Sequence, residues 1–227
     1  MAELMRRFAR RDVAVRFAVV ALSGIAALAV LGALHTLAGV RIDLFDPNGE
    51  RNVQAFVAAG LLATAGAAAL VAASVEEGRP RLIGYGLAGL LTFLSADELL
   101  QLHEKAERLT GVDWQKLYLP IFAVGGVLGA LMLRRVWPHV GARVMLVAAG
   151  AAWFVAELLE AIEYDAADGR VASYDLMVVI EEPLEMTGSA LITVALILGA
   201  AMRRRARAEA AAVVPARPER APTGSAR

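Results

Sequence analysis

Long runs of uncharged, mostly apolar residues alternate with short polar segments along this chain. The first run covers residues 17–34, and five more begin near residues 53, 82, 117, 143 and 176. A helix needs about 20 such residues to cross a bilayer, and these runs approach that length. The pattern therefore predicts an all-α fold, a polytopic membrane helical bundle with six transmembrane helices.

Composition supports a membrane class and excludes several kinds of chemistry. Hydrophobic residues make up 58% of the 227 residues, whereas ordinary soluble domains contain roughly 45–50%. The chain has no cysteine, which excludes disulfides, thiolate metal ligands and cysteine nucleophiles. Its sequence also lacks a P-loop, a dinucleotide-binding fingerprint and a serine-nucleophile elbow. Basic residues are dense only in short flanks, so we expect no nucleic-acid binding.

The basic residues predict an orientation in the membrane. With a cytoplasmic N-terminus, 17 of the 23 Lys and Arg residues lie on the cytoplasmic side and 6 on the other. By the positive-inside rule, both termini are cytoplasmic in a multi-pass protein of the cytoplasmic (inner) membrane. Residues 1–16 then form a basic cytoplasmic segment, residues 17–202 the transmembrane domain, and residues 203–227 a disordered basic cytoplasmic tail. The lipid bilayer is the expected partner, and the sequence leaves the oligomeric state open.

Acidic residues are concentrated at the opposite, outward-facing end of the predicted bundle, which holds 17 of the 23 Asp and Glu residues. Three of the uncharged runs are cut short there. Asp97 follows 15 uncharged residues, Glu157 follows 13, and Glu185 precedes 17. Each run is shorter than the about 20 residues needed to span, and charge facing lipid is costly. These acids are therefore expected to line a polar pocket that opens to the outside.

Clustered carboxylates require counter-charge, retained protons or contact with water, and a bound divalent metal supplies the first. Carboxylate and imidazole donors are compatible with Fe, Mn, Zn, Mg and Ca, so the sequence does not choose among these metals. Two Glu-x-x-Glu pairs occur, but the Glu-x-x-His motif of di-iron carboxylate bundles does not. The predicted metal ligands are Asp97, Glu98, His103, Glu104, Glu157, Glu160, Glu182 and Glu185, with His35 and Glu181 as further candidates.

Two faces of the third span compete to line the pocket. Asp97 and Glu104 are seven residues apart, so one continuous helix would place them on the same face. The segment DELLQLHE also aligns with AELLEAIE, 59 residues further along the chain. That alignment favours the face of Glu98 and Gln101, and the sequence leaves both faces open.

Other residues are expected to contact the membrane or set the topology instead of lining the pocket. Trp114 and Tyr118 are typical of the aromatic belt at a membrane interface. The arginines at 203–205 and 207 are expected to set the topology and to contact anionic lipid. Pro183, inside the sixth span, removes one helix hydrogen bond and frees the carbonyl of Val179.

Three functions agree with this pattern. The first is a metal-dependent enzyme whose outward-facing site activates water or dioxygen against a lipid-soluble substrate. The second is a cation or proton transporter that uses the same carboxylates, although few polar side chains occupy the inner halves of the acidic spans. The third is a non-catalytic membrane sensor or assembly protein.

Overall fold

The computed structural model describes residues 2–47, 52–136, 138–166 and 174–213, with side chains described for 13–47, 52–136, 138–162 and 174–209. Within these residues the chain is all-helical. The elements are α1 (Ala2–Thr36), a short 3₁₀ turn (Asp43–Phe45), α2 (Val53–Ser74), α3 (Arg79–Leu100), α4 (Leu102–Thr110), α5 (Trp114–Val136), α6 (Val140–Ala166) and α7 (Tyr174–Val213). All of these helices except α4 are long and apolar enough to cross a membrane, which confirms six predicted spans. The orientation of the termini stays a prediction.

Helix α7 lies at the centre of the bundle. It packs against α1, α2 and α6, while α2 also packs on α3, and α5 contacts α3, α4 and α6. Because successive spans alternate in direction, the bundle has two ends, which we name after the charged residues that each one carries. At the carboxylate end, α3 and α6 end and α7 begins. At the arginine end, α5 and α7 end and α3 begins.

Small residues bring the helices close together, as expected where lipid removes most of the hydrophobic driving force between spans. A Cβ added at Gly84 on α3 would lie 2.7 Å from the Cβ of Ala73 on α2. A Cβ at Gly66 on α2 would lie 2.8 Å from Oγ1 of Thr92 on α3. These two contacts fix α2 against α3 along the span that leads to the acids.

The third span does not continue through the acidic segment as one helix. Gln101 has φ 54° and ψ 49°, so α3 ends at Leu100 and α4 begins at Leu102. Among the described residues, Gln101 is the only residue other than glycine with a positive φ. The expectation that Asp97 and Glu104 share the face of one helix is therefore wrong.

The last helix extends further than its apolar run. Helix α7 continues through Pro183 and as far as Val213, past Met202, where the last span was expected to end. The tail predicted from residue 203 thus lies partly in α7. Residues 214–227 lie outside the described residues.

Gly188 allows α6 and α7 to pack closely beside the acids. A Cβ at Gly188 would overlap the indole ring of Trp153 on α6. That ring has little freedom to move, because its Nε1 donates a hydrogen bond of 3.0 Å to the main-chain oxygen of Glu185. The contact sets the spacing between the two helices that carry most of the site.

We expect Gly188→Ala to destabilise the protein by about 1–3 kcal/mol, the usual cost of overpacking a closely packed contact. Gly150→Ala on α6 is the matched control, because a Cβ there meets nothing within 4 Å. The control should be neutral or slightly stabilising, since alanine is the better helix former. Reversible unfolding in detergent would measure both variants. Equal stability of the two would contradict the close contact.

Candidate metal centre

Three carboxylates from two helices converge at the carboxylate end. Glu160 on α6 and Glu181 and Glu185 on α7 each offer an oxygen atom, and these atoms all lie within 4.8 Å of one another. Glu181 and Glu185 are four residues apart, so they share a face of α7. A divalent ion with oxygen ligands at about 2.3–2.6 Å places opposite ligands about 5 Å apart. This three-carboxylate group therefore has the spacing to surround one ion.

The turn of α7 that carries these acids is held against α6. Pro183 has no N–H, so the helix lacks the hydrogen bond that would reach the carbonyl of Val179. One turn on, the main-chain oxygen of Glu185 accepts hydrogen bonds from Trp153 Nε1 and Ser189 Oγ, both at 3.0 Å. The indole bond links α7 to α6 at the level of the three-carboxylate group.

Asp97 has a different role from the three-carboxylate group, because its own hydrogen bonds occupy both of its oxygens. It is only 5% exposed. Its Oδ1 accepts from the Tyr118 hydroxyl at 2.7 Å and from the His103 main-chain N–H at 2.9 Å. Its Oδ2 lies 3.0 Å from Nδ1 of the His103 ring. Asp97 thus holds the start of α4 and the imidazole together.

The break at Gln101 makes this pairing geometrically accessible. His103 is six residues after Asp97, and six residues of regular α-helix rotate a side chain by about 600°, well away from the first residue's face. The left-handed residue turns the chain so that His103 returns to Asp97. Such a conformation costs about 1–3 kcal/mol outside glycine, and it is a common way for a helix to end.

His103 is oriented as a metal-binding histidine usually is. With Nδ1 directed at Asp97, Nε2 is the ring nitrogen left to act as a ligand. Burial disfavours its charged form, but the hydrogen bond and charge of Asp97, with the charges of Glu98 and Glu160, raise the pKa of His103 above its ordinary value. This negative surrounding favours a cation at His103, whether a proton or a metal ion.

Two aromatic residues of α5 belong to the site, although their sequence positions suggested an interfacial belt. Trp114 Nε1 donates to Glu160 Oε1 at 2.9 Å, and its ring centroid lies 4.9 Å from that of His103. Tyr118 binds Asp97 and meets Trp114 edge-on, with centroids 5.4 Å apart. The two aromatics are spaced i, i+4 at the same end as the acids, and that spacing was the available signal.

Glu157 and two other predicted ligands act electrostatically on the three-carboxylate group. Gln115 Nε2 donates to the main-chain oxygen of Glu157 at 3.1 Å and to its Oε2 at 3.3 Å. The charges of Glu98, Glu157 and Glu182 all act on Glu185. These acids therefore add negative charge around the group, and their assignment as ligands stays a prediction.

The remaining candidates pair with other residues. Glu104 Oε2 lies 3.4 Å from Arg108 Nη2 on the same short helix. His35 Nδ1 accepts a hydrogen bond of 3.0 Å from the Ile42 main-chain N–H, and its Nε2 lies 3.6 Å from Asp46 Oδ2. His35 thus closes the loop after α1, and a metal role for either residue stays a prediction.

We expect glycine to be favoured over valine at Gln101. Gln101→Gly should preserve stability or raise it slightly, whereas Gln101→Val should cost about 1–2 kcal/mol more, since a left-handed conformation penalises side chains with a Cβ. At Leu100, which is helical, glycine has no such advantage and is the poorer helix former. Unfolding measurements on the four variants test this. If the glycine and valine variants differed in stability in the same way at Leu100 as at Gln101, the left-handed assignment would be contradicted.

Comparison with known proteins gives a family but no activity. No curated protein and no solved structure matches the chain. A family model described as "Domain of unknown function (DUF8692)" matches residues 4–199, a range that contains every site residue discussed above. The chain therefore belongs to the DUF8692 family.

Proposed function

We propose that this protein binds a divalent cation at the carboxylate end of a transmembrane bundle, with Glu160, Glu181 and Glu185 as oxygen ligands. The observation that carries the proposal is the convergence of their oxygens within 4.8 Å. Acids this close cannot all ionise without counter-charge. A divalent cation supplies that charge, and it also offsets the acids that surround the group.

His103 completes the proposed donor set through Nε2. The support is its hydrogen bond to Asp97, which has the form of the carboxylate–histidine pairs found behind metal ligands. The charge of Glu160 also acts on the imidazole, which supports His103 as a ligand beside the three-carboxylate group. A set of carboxylates with one imidazole favours manganese, iron or zinc over magnesium and calcium, which prefer oxygen donors alone.

A lipid-soluble substrate would approach from the outside of the bundle, where a small groove of about 20 Å³ opens between α2 and α3. The groove is lined by Ala55, Phe56, Glu98, Leu99 and Gln101. Phe56 and Leu99 are exposed on the outside of the bundle, where a membrane would place lipid. The charge of Glu98, which lines this groove, acts on Glu185. At such a site a metal activates water or polarises a bound oxygen.

The packing beneath the acids favours binding or catalysis over conduction. Met186, Ser189 and Thr193 are fully buried on the next two turns of α7. Their hydroxyls are used within the helix, because Ser189 Oγ donates to Glu185 O and Thr193 Oγ1 donates to Ser189 O. A polar route needs groups that face one another across helices, and these two hydroxyls face their own backbone instead.

Purified protein is expected to retain close to one equivalent of a divalent metal after dialysis, measured by mass spectrometry of the elements. Glu185→Gln and Glu160→Gln should weaken metal binding at least tenfold, because each removes a charged ligand. Glu104→Gln is the matched control at the same end and should bind metal normally, since Glu104 pairs with Arg108. The proposal would be contradicted if the purified protein contained no metal and if neither a chelator nor added metal changed its stability.

Liposomes containing the protein are expected to show no flux of Mn²⁺ or Zn²⁺ above that of empty liposomes, because the core beneath the acids is closely packed. A fluorescent indicator inside the vesicles measures the flux. Flux that is present in the natural sequence and lost in Glu185→Gln would favour the transporter over the enzyme while keeping the metal site.

A further inference from the structure

A second charged centre lies at the arginine end, where the sequence predicted basic residues but not their ion pairs with Glu76. Glu76, in the loop between α2 and α3, is only 6% exposed. Its Oε2 lies 2.7 Å from Nη2 of Arg135 on α5 and 2.8 Å from Nη2 of Arg207 on α7. Its Oε1 lies 2.6 Å from Nε of Arg203, also on α7. We call these four residues the arginine clamp.

The clamp holds more positive than negative charge. Three guanidinium groups meet one carboxylate, which leaves a formal excess of two positive charges. Arg203 is 15% exposed and Arg135 is 17% exposed, and charges removed from water to this extent need partners. Glu76, together with the Val75 main-chain oxygen that accepts from Arg207 Nη1, therefore satisfies the clamp only in part.

One donor of the clamp shows this shortage directly. Arg203 Nη1 is buried and makes no hydrogen bond within the part of the chain that the structure describes. The crevice beside it, lined mainly by Met132, Val136 and Leu196, is too narrow to admit water. A buried donor without a partner is destabilising, and more so when it is charged, so an added acceptor near this guanidinium would be stabilising.

The position of the clamp indicates which anion would reach it. Arg207 is 54% exposed, so the clamp opens away from the bundle at the level where α5 and the apolar part of α7 end. Phosphate groups of lipids lie at this boundary, and basic side chains there attract anionic headgroups. Guanidinium groups match phosphate oxygens well, because each presents two parallel donors.

We propose that the arginine clamp binds a phosphate oxyanion, carried by the headgroup of an anionic phospholipid in the adjoining leaflet. Arg207 and Arg135 contact the phosphate from the exposed side, and the Arg203 guanidinium turns its unused donor toward it. Glu76 holds the three arginines together when the phosphate is absent and competes with it for the same donors. This site is independent of the metal centre at the other end of the bundle.

The test uses the full chain in a neutral maltoside detergent, with thermal unfolding as the readout. Short-chain phosphatidylglycerol is expected to raise the unfolding temperature, whereas phosphatidylcholine of the same chain length is not, since a ligand stabilises the state that binds it. Arg207→Gln should weaken the phosphatidylglycerol effect about tenfold, the scale of one charge-assisted hydrogen bond. Arg204→Gln, an exposed neighbour with the same change in charge, should leave it intact.

Two further arms identify the source of the phosphate and separate binding from a structural role. Sodium phosphate that stabilises as strongly as phosphatidylglycerol, at equal phosphate concentration, would assign the site to a free anion. Glu76→Gln should bind phosphatidylglycerol more tightly, because the competing carboxylate is gone, even if its unliganded form is less stable. No stabilisation by either phosphate, or equal losses in Arg207→Gln and Arg204→Gln, would overturn the proposal.

Discussion

A charge buried among apolar helices requires an opposite charge within a few ångströms, and both polar centres of this bundle are arranged by that requirement. At the carboxylate end, three carboxylates converge from two helices. At the arginine end, three arginines share Glu76 within the part of the chain that the structure describes. The charge that gathers at each end suggests the opposite charge for what each centre would bind.

Helix α7 connects the two centres mechanically. It carries two members of the three-carboxylate group and two members of the arginine clamp. Glu185 and Arg203 are 18 residues apart, about 27 Å at the rise of an α-helix, close to the about 30 Å thickness of the hydrocarbon core. Gly188 and Trp153 fix the rotation of α7 against α6. Displacing α7 along its axis would therefore disturb both centres together.

The spans and the end at which the acids gather were predictable, because both follow from local composition. An uncharged run of nearly 20 residues is visible without knowing its neighbours. Alternation of spans then assigns each acidic segment to an end. By contrast, Glu181 and Glu182 are adjacent in sequence, and only the packing of α7 on α6 decides that Glu181 joins Glu160 and Glu185.

Contacts between distant segments account for the rest of what the sequence did not reveal. The hydrogen bond from Trp114 to Glu160 joins residues 46 apart, and an aromatic residue at the end of a span fits a membrane interface equally well. The left-handed Gln101 carries no local signal, since glycine or asparagine would be the usual choice there. This conformation turns the chain so that His103 returns to Asp97.

The structure also changes the reason for expecting a site among the acids. The uncharged run after Glu185 looked too short to span because it was counted only as far as Met202. Arg203, however, is bound by Glu76 and is largely buried, so a charged residue does not mark the end of the buried part of α7 here. Counted to Arg207, α7 provides 22 residues beyond Glu185, about 33 Å. For α7, depth alone therefore does not require a pocket, and the case for a metal centre rests mainly on the convergence of three carboxylates and on the oriented imidazole.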